Sequence, residues 1–195
     1  MFKKFYVNFI QEKSTKKQIR MIHDPNNYWE QLERLEKLIR ASELKAGIIF
    51  SFHSLILGLF IDRLDQLQPI FTSNIAMIVL SILWMLSILI SVYYCFKVFK
   101  PQIELKYKKN VFFFRDAVFA FGTVEEFTKK LMEICSSEEE MFIHLSHQIH
   151  IESKIIDEKF KSVHEAIKFF GLSLVFILLS ISLWIFTVTF PNLLI

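Results

Sequence analysis

The chain has 195 residues, of which 53% are hydrophobic, and a mean hydropathy of +0.38. Its 4 Gly and 4 Pro supply little material for a turn-rich β fold, and a formal charge of +3 is too small to indicate a nucleic-acid partner. The two cysteines, Cys95 and Cys135, provide no disulfide framework. The composition therefore favours a mostly helical, apolar protein.

Charge is distributed unevenly around three apolar stretches. Residues 75–96 and 169–190 are each 22 residues long without a charged side chain, which is enough to cross about 30 Å of hydrocarbon. Residues 46–61 form a shorter uncharged stretch of 16. Of the 23 Lys and Arg, 22 lie before residue 46 or between the last two stretches, and Arg63 is the exception. We therefore predict an all-α membrane protein with three transmembrane helices and a cytoplasmic helical stem region.

The same charge pattern orients the chain, because cytoplasmic segments carry the excess of Lys and Arg. The loop 62–74 holds one base and two acids and is predicted to face outward, so the N-terminus is cytoplasmic. Because 16 residues make a helix of only about 24 Å, the first stretch is a short span or else a re-entrant or buried helix. The predicted segments are a basic and helical N-terminal segment (1–45), two transmembrane helices with an external loop (46–96), a cytoplasmic helical region (97–168), and a third transmembrane helix with an external tail (169–195).

The cytoplasmic segments have the spacing of amphipathic helices. Apolar residues at helical intervals predict helices over 28–44 and 123–135. Ser137 and Glu140 form a capping-box pattern, and the helix that they begin continues into the third span. Such a long polar stem must pair with the first helix and with copies of itself, so a homo-oligomer is expected. Residues 111–114 (VFFF) fit either a short strand or an interfacial anchor.

The first span carries small side chains at spacings of four, three and four: Gly47, Ser51, Ser54 and Gly58. Such a stripe lets another helix approach closely in lipid, either within one chain or between subunits. His53 lies at the middle of this span, and an ionisable residue at that depth indicates either a hydrogen-bonded imidazole inside a bundle or a functional site.

No pattern in the chain indicates catalysis. His144, His147 and His150 follow an HxxHxxH series but fan over about 120° of helix surface, so a solvated face is predicted and no metal site. The sequence has no Gly-rich phosphate loop, no nucleophile elbow and no HExxH. We therefore predict a protein that is not an enzyme and has no cofactor.

Several short segments together resemble a known family. The segment 41–47 (ASELKAG) opens the first span, residues 113–117 (FFRDA) follow the second, and Gln148 and the pair Lys159–Phe160 lie in the stem before the third. In this order and spacing the chain resembles the transmembrane effectors of Pycsar antiphage systems.

The resemblance implies a bacterial inner-membrane effector that senses a cyclic pyrimidine nucleotide, cCMP or cUMP, made by a partner uridylate or cytidylate cyclase. It would then impair the membrane and cause abortive infection. By charge and position, the candidate contacts for the nucleotide phosphate are Lys45, Lys154, Lys159 and Lys161. The alternatives are a membrane-anchored adaptor and a small channel that opens without a ligand.

Overall fold

The computed structural model of the protein describes residues 24–100 and 109–190. Helices make up 89% of these residues, which contain no strand. In chain order the helices are α1 (Pro25–Asp62), α2 (Leu64–Phe71), α3 (Ile75–Phe99), α4 (Phe114–Phe119), α5 (Val124–Ser136) and α6 (Glu138–Thr189). The helices α1, α3 and α6 are each long and apolar enough to cross a membrane. The predicted fold class is therefore confirmed.

Short polar residues begin three of the helices. The Asn74 side chain accepts a hydrogen bond of 2.8 Å from the third backbone N–H of α3. Thr123 and Glu126 form a reciprocal capping box at α5, and the backbone N–H of Glu140 donates to the Ser137 hydroxyl at 3.3 Å. These bonds satisfy N–H groups that have no partner within the helix.

The chain divides into two compact units. The polar unit comprises residues 24–37 and 109–154, and the membrane unit comprises residues 38–100 and 155–190. Both α1 and α6 contribute residues to each unit. The four predicted segments concern membrane topology, which this division does not test. The N-terminal segment up to residue 23 and the tail from residue 191 lie outside the described residues.

The polar unit has a small apolar core supplied by α1, the turn before α4, α5 and α6: Leu32, Leu35, Val111, Ile134, Leu145 and Ile151. Residues 111–113 form a turn, and Phe114 begins α4, so the strand predicted as one alternative for VFFF is wrong. The cause is Asn110, whose side chain accepts a hydrogen bond of 3.0 Å from the backbone N–H of Phe112 and thereby favours a turn.

The membrane unit is packed most closely where α1, α3 and α6 meet. The buried apolar residues at this level are mostly small: Ala46, Ile49, Cys95, Val98, Val163 and Ala166. Phe50, Tyr94 and Phe170 close around them. Small side chains let helix backbones approach closely, which is how helices associate in lipid. This close approach brings polar groups of the three helices within hydrogen-bonding distance.

Candidate functional site

A buried lysine joins the three helices of the membrane unit. Lys159 lies on α6, and its side chain is only 5% exposed. Its ammonium donates to the Glu43 carboxylate on α1 at 2.8 Å and to the Val98 carbonyl on α3 at 2.5 Å. We call these three residues the junction. A single charged group thus links three segments that are far apart in the sequence.

The position of Val98 explains why its carbonyl accepts this bond. Val98 lies in the last turn of α3, which ends at Phe99. The final carbonyls of a helix have no intrahelical donor, and they carry the negative end of the helix dipole. A lysine placed there satisfies a carbonyl and neutralises that end. The ammonium therefore has two partners of favourable charge although it is buried.

A second contact joins the same segments of α1 and α6. The Lys45 ammonium lies 5.7 Å from the centre of the Phe160 ring, within the range of a cation–π interaction. Glu43 and Lys45 on α1 thus contact Lys159 and Phe160 on α6. Two of the sequence segments that suggested the family resemblance, 41–47 and Lys159–Phe160, therefore meet in space.

The four lysines predicted as phosphate contacts differ in their surroundings. Lys45, Lys154 and Lys161 are exposed. Lys161 pairs with Asp157 at 2.6 Å, and Lys45 lies over a ring as described. The ammonium of Lys159 is buried and already held by the junction. An anion could approach the three exposed lysines from solvent, whereas it could reach Lys159 only after displacing Glu43.

His53 takes part in a second polar link between the same helices. Its Nε2 lies 2.8 Å from the Ser91 hydroxyl, which donates to the Ala166 carbonyl at 2.8 Å. A serine hydroxyl has one proton, so Nε2 of His53 must donate to Ser91. We call these three residues the relay. Nδ1 of His53 is then a buried acceptor without a partner among the described residues.

The small-residue stripe of α1 is largely open in a single chain. A Cβ atom added at Gly47 would lie 3.8 Å from Phe99, whereas at Gly58 it would meet nothing within 4 Å. Ser51 and Ser54 are exposed, and their hydroxyls donate to carbonyls of their own helix. Only Gly47 of the stripe therefore faces another helix of the same chain.

In the polar unit, Asn110 is the most connected buried polar residue. Its side-chain amide donates to the His144 carbonyl at 2.7 Å, and its backbone N–H donates to Asp116 at 2.8 Å. It also accepts the bond from Phe112. These bonds fix the turn before α4 against α6. Asn110 was not singled out from the sequence, because a lone Asn in an aromatic segment gives no distinctive signal.

Gln148 and Glu152 form a partly buried polar pair on α6. The Gln148 amide donates to Glu152 at 2.9 Å, and its own Oε1 is buried without a partner among the described residues. Burial raises the pKa of the Glu152 carboxyl, the hydrogen bond from Gln148 lowers it, and the Glu36 carboxylate raises it again, for a net increase. Burial is the main cause of the lowered pKa of the His144 imidazole.

An open groove of about 580 Å³ lies in the polar unit. Tyr28 and Phe142 stack along it at 5.1 Å between ring centres, and Glu138, Glu139 and His147 also line it. Aromatic rings suit a planar base, but two carboxylates repel a phosphate. In the part of the chain that the structure describes, no group of three or more His, Cys, Asp or Glu side chains is arranged to hold a metal ion.

The family model described as the Pycsar effector protein domain matches residues 27–186. Searches of curated proteins and of solved structures found no match. The matched range covers α2 to α5 completely, nearly all of α1 and α6, and every residue of the junction and the relay.

Proposed function

Because the chain belongs to the Pycsar effector family and is therefore an antiphage defence effector of the membrane, we propose that it responds to a cyclic pyrimidine nucleotide by impairing the bacterial inner membrane. The observation that carries this proposal is the family match over residues 27–186, together with three helices of membrane-spanning length and composition. Cells that lose membrane integrity before phage mature would stop the infection. The role needs no catalysis by this chain.

The membrane step is proposed to be a separation of α1, α3 and α6. In a closed unit the polar atoms of the relay face one another, as the 2.8 Å distances between His53, Ser91 and Ala166 indicate. When the helices separate, these atoms lose their partners and favour contact with water, since unsatisfied polar groups are costly in hydrocarbon. A water path through the membrane unit would follow. The outward stripe of Ser51, Ser54 and Gly58 offers a second copy a close approach.

The sensing step is proposed to be a population shift. A cyclic nucleotide is a small anion, and it must bind one arrangement of the helices more tightly than the other to change their populations. Exposed Lys45, Lys154 and Lys161 are the proposed phosphate contacts because an anion can reach them without breaking the junction.

The proposed cell biology follows from charge. The Lys- and Arg-rich segments favour a cytoplasmic N-terminus by the positive-inside rule, which places the sensing residues on the side where a partner cyclase would release its product. We therefore propose an inner-membrane protein that acts with a uridylate or cytidylate cyclase.

The proposal is tested in bacteria that express the chain with a pyrimidine nucleotide cyclase and are then infected with phage. We expect uptake of a membrane-impermeant dye soon after infection, before cell lysis by phage. The matched control is the same cyclase with its catalytic carboxylates replaced, which should abolish dye uptake. Uptake that is equal with the inactive cyclase would favour a ligand-independent channel. Protection without dye uptake would favour an adaptor, and either result would overturn the proposal.

A further inference from the structure

We propose that the junction of Glu43, Val98 and Lys159 is a latch that holds the membrane unit in its resting arrangement. The inference rests on the proposed function, because a latch matters only if the unit has an active arrangement to be released into. It deepens that function by assigning its regulation to one buried ammonium.

The first support is how the junction is built. The Lys159 ammonium bonds to one residue on α1 and one on α3, so one side chain of α6 ties all three helices. Glu43 keeps 39% of its side chain exposed, whereas Lys159 is 5% exposed. When this ion pair breaks, the Glu43 carboxylate can be hydrated in place, whereas the Lys159 ammonium must move to become hydrated. Breaking the junction therefore favours a displacement of α6 that returns the ammonium to water.

The second support is that α6 has few buried residues beyond the junction, the relay and the ring contacts that Phe169 and Phe170 make with α1 and α3. From residue 167 to residue 190, only Ser173 and Ser180 are buried. Their hydroxyls donate to carbonyls of α6 itself, at 2.7 Å and 2.9 Å. Lipid does not drive apolar helix faces together as water does. Once the polar bonds are broken, the part of α6 beyond Phe170 can move away without exposing a buried apolar residue of its own.

The third support is that both charges are needed with their present signs. The Val98 carbonyl lies at the negative end of α3 and needs a donor. Lys159 supplies it, and a carboxylate at position 159 could not. Exchanging the two charges should therefore fail to restore the latch, although the ion pair itself would be re-formed. A simple ion pair without the carbonyl contact would instead tolerate the exchange.

The experiment measures release of a trapped dye from liposomes that carry the full chain, without nucleotide. We expect Lys159→Met to leak at least about tenfold faster than the wild type, since loss of one partner of a buried pair commonly shifts an equilibrium by that much. The exchanged variant, Glu43→Lys with Lys159→Glu, should leak equally fast. The matched control is Lys168→Met, which removes an exposed lysine of the same helix that pairs with Glu165 at 3.5 Å and should leak as slowly as the wild type.

If the Lys159→Met protein folds and inserts but its liposomes release dye as slowly as those with the wild type, the latch is overturned. If this variant does not fold, Glu43→Gln with Lys159→Met removes both charges and should insert, because an apolar replacement of both partners is often tolerated. Fast dye release from this double variant supports the latch, and release as slow as that of the wild type overturns it. A wild-type protein that ignores cUMP and cCMP would overturn the proposed function alone, since leakage of Lys159→Met needs no nucleotide.

Discussion

Replacing Ser91 by Ala should weaken the membrane unit far more than replacing Ser87, which lies one helical turn earlier on α3. Both serines are buried. The Ser87 hydroxyl donates at 2.8 Å to Leu83 within the same helix. The Ser91 hydroxyl accepts from His53 on α1 and donates to Ala166 on α6. The two substitutions remove the same atom at similar burial, but only Ser91→Ala removes bonds between helices.

The size of the effect follows from the two bonds. A hydrogen bond between membrane helices contributes about 0.6 kcal/mol on average and up to about 1.7, so two bonds give about 1.2 kcal/mol. Ser91→Ala also leaves the Nε2–H of His53 without an acceptor, and an unsatisfied buried donor costs about 1–3 kcal/mol. We expect a total loss of about 2–4 kcal/mol for Ser91→Ala and less than about 0.5 kcal/mol for Ser87→Ala.

The assay is unfolding of the purified chain in mixed micelles with increasing SDS, followed by circular dichroism. A double-mutant cycle of His53→Ala and Ser91→Ala should give a coupling energy of about 0.5–1.5 kcal/mol. Equal destabilisation by Ser91→Ala and Ser87→Ala, with no coupling to His53, would refute the relay and the tautomer inferred for His53.

Two further predictions concern the polar unit. Asn110→Ala removes three side-chain hydrogen bonds, two with His144 and one with the backbone N–H of Phe112, so it should destabilise this unit by about 2–4 kcal/mol. Asn26→Ala at an exposed site should have little effect, and equal melting temperatures of the two variants would contradict the role of Asn110. Burial raises the pKa of Glu152 above the ordinary glutamate value of 4.5, so this carboxyl binds its proton more tightly in the folded chain than in the unfolded one. Its contribution to stability is therefore lost as the pH rises above that value. Glu152→Gln keeps an acceptor for Gln148 and removes the charge, so the melting temperature of this variant should fall less between pH 4 and pH 7 than that of the wild type. A pH dependence equal to that of the wild type would count against this role of Glu152.

The sequence predicted the helices well because their signals are local. Uncharged stretches of sufficient length mark α3 and the end of α6. No Pro or Gly lies between residue 28 and the start of the first span at residue 46, which predicts that the two form one helix, as they do in α1. The capping pattern at Ser137 likewise marks the start of α6. The short α2, which contains Pro69, was not predicted, because the loop that holds it has mixed composition.

The candidate site was predicted only in part because its contacts join distant residues. His53 was identified from its depth in an apolar stretch, but its partner Ser91 lies 38 residues away and the serine's acceptor a further 75. Lys159 was selected for its charge, which gives no sign that it would be buried beside Glu43, 116 residues earlier. The nearest signal was that both residues belong to segments that resemble the same family.

The most direct test of nucleotide-dependent membrane damage is dye release from liposomes that carry the purified wild-type chain, with cUMP, cCMP or, as a control, cAMP. We predict slow release without nucleotide and with cAMP, and rapid release with one of the two pyrimidine nucleotides. Release at the same rate under all conditions, or no release from correctly inserted protein, would contradict a nucleotide-gated effector.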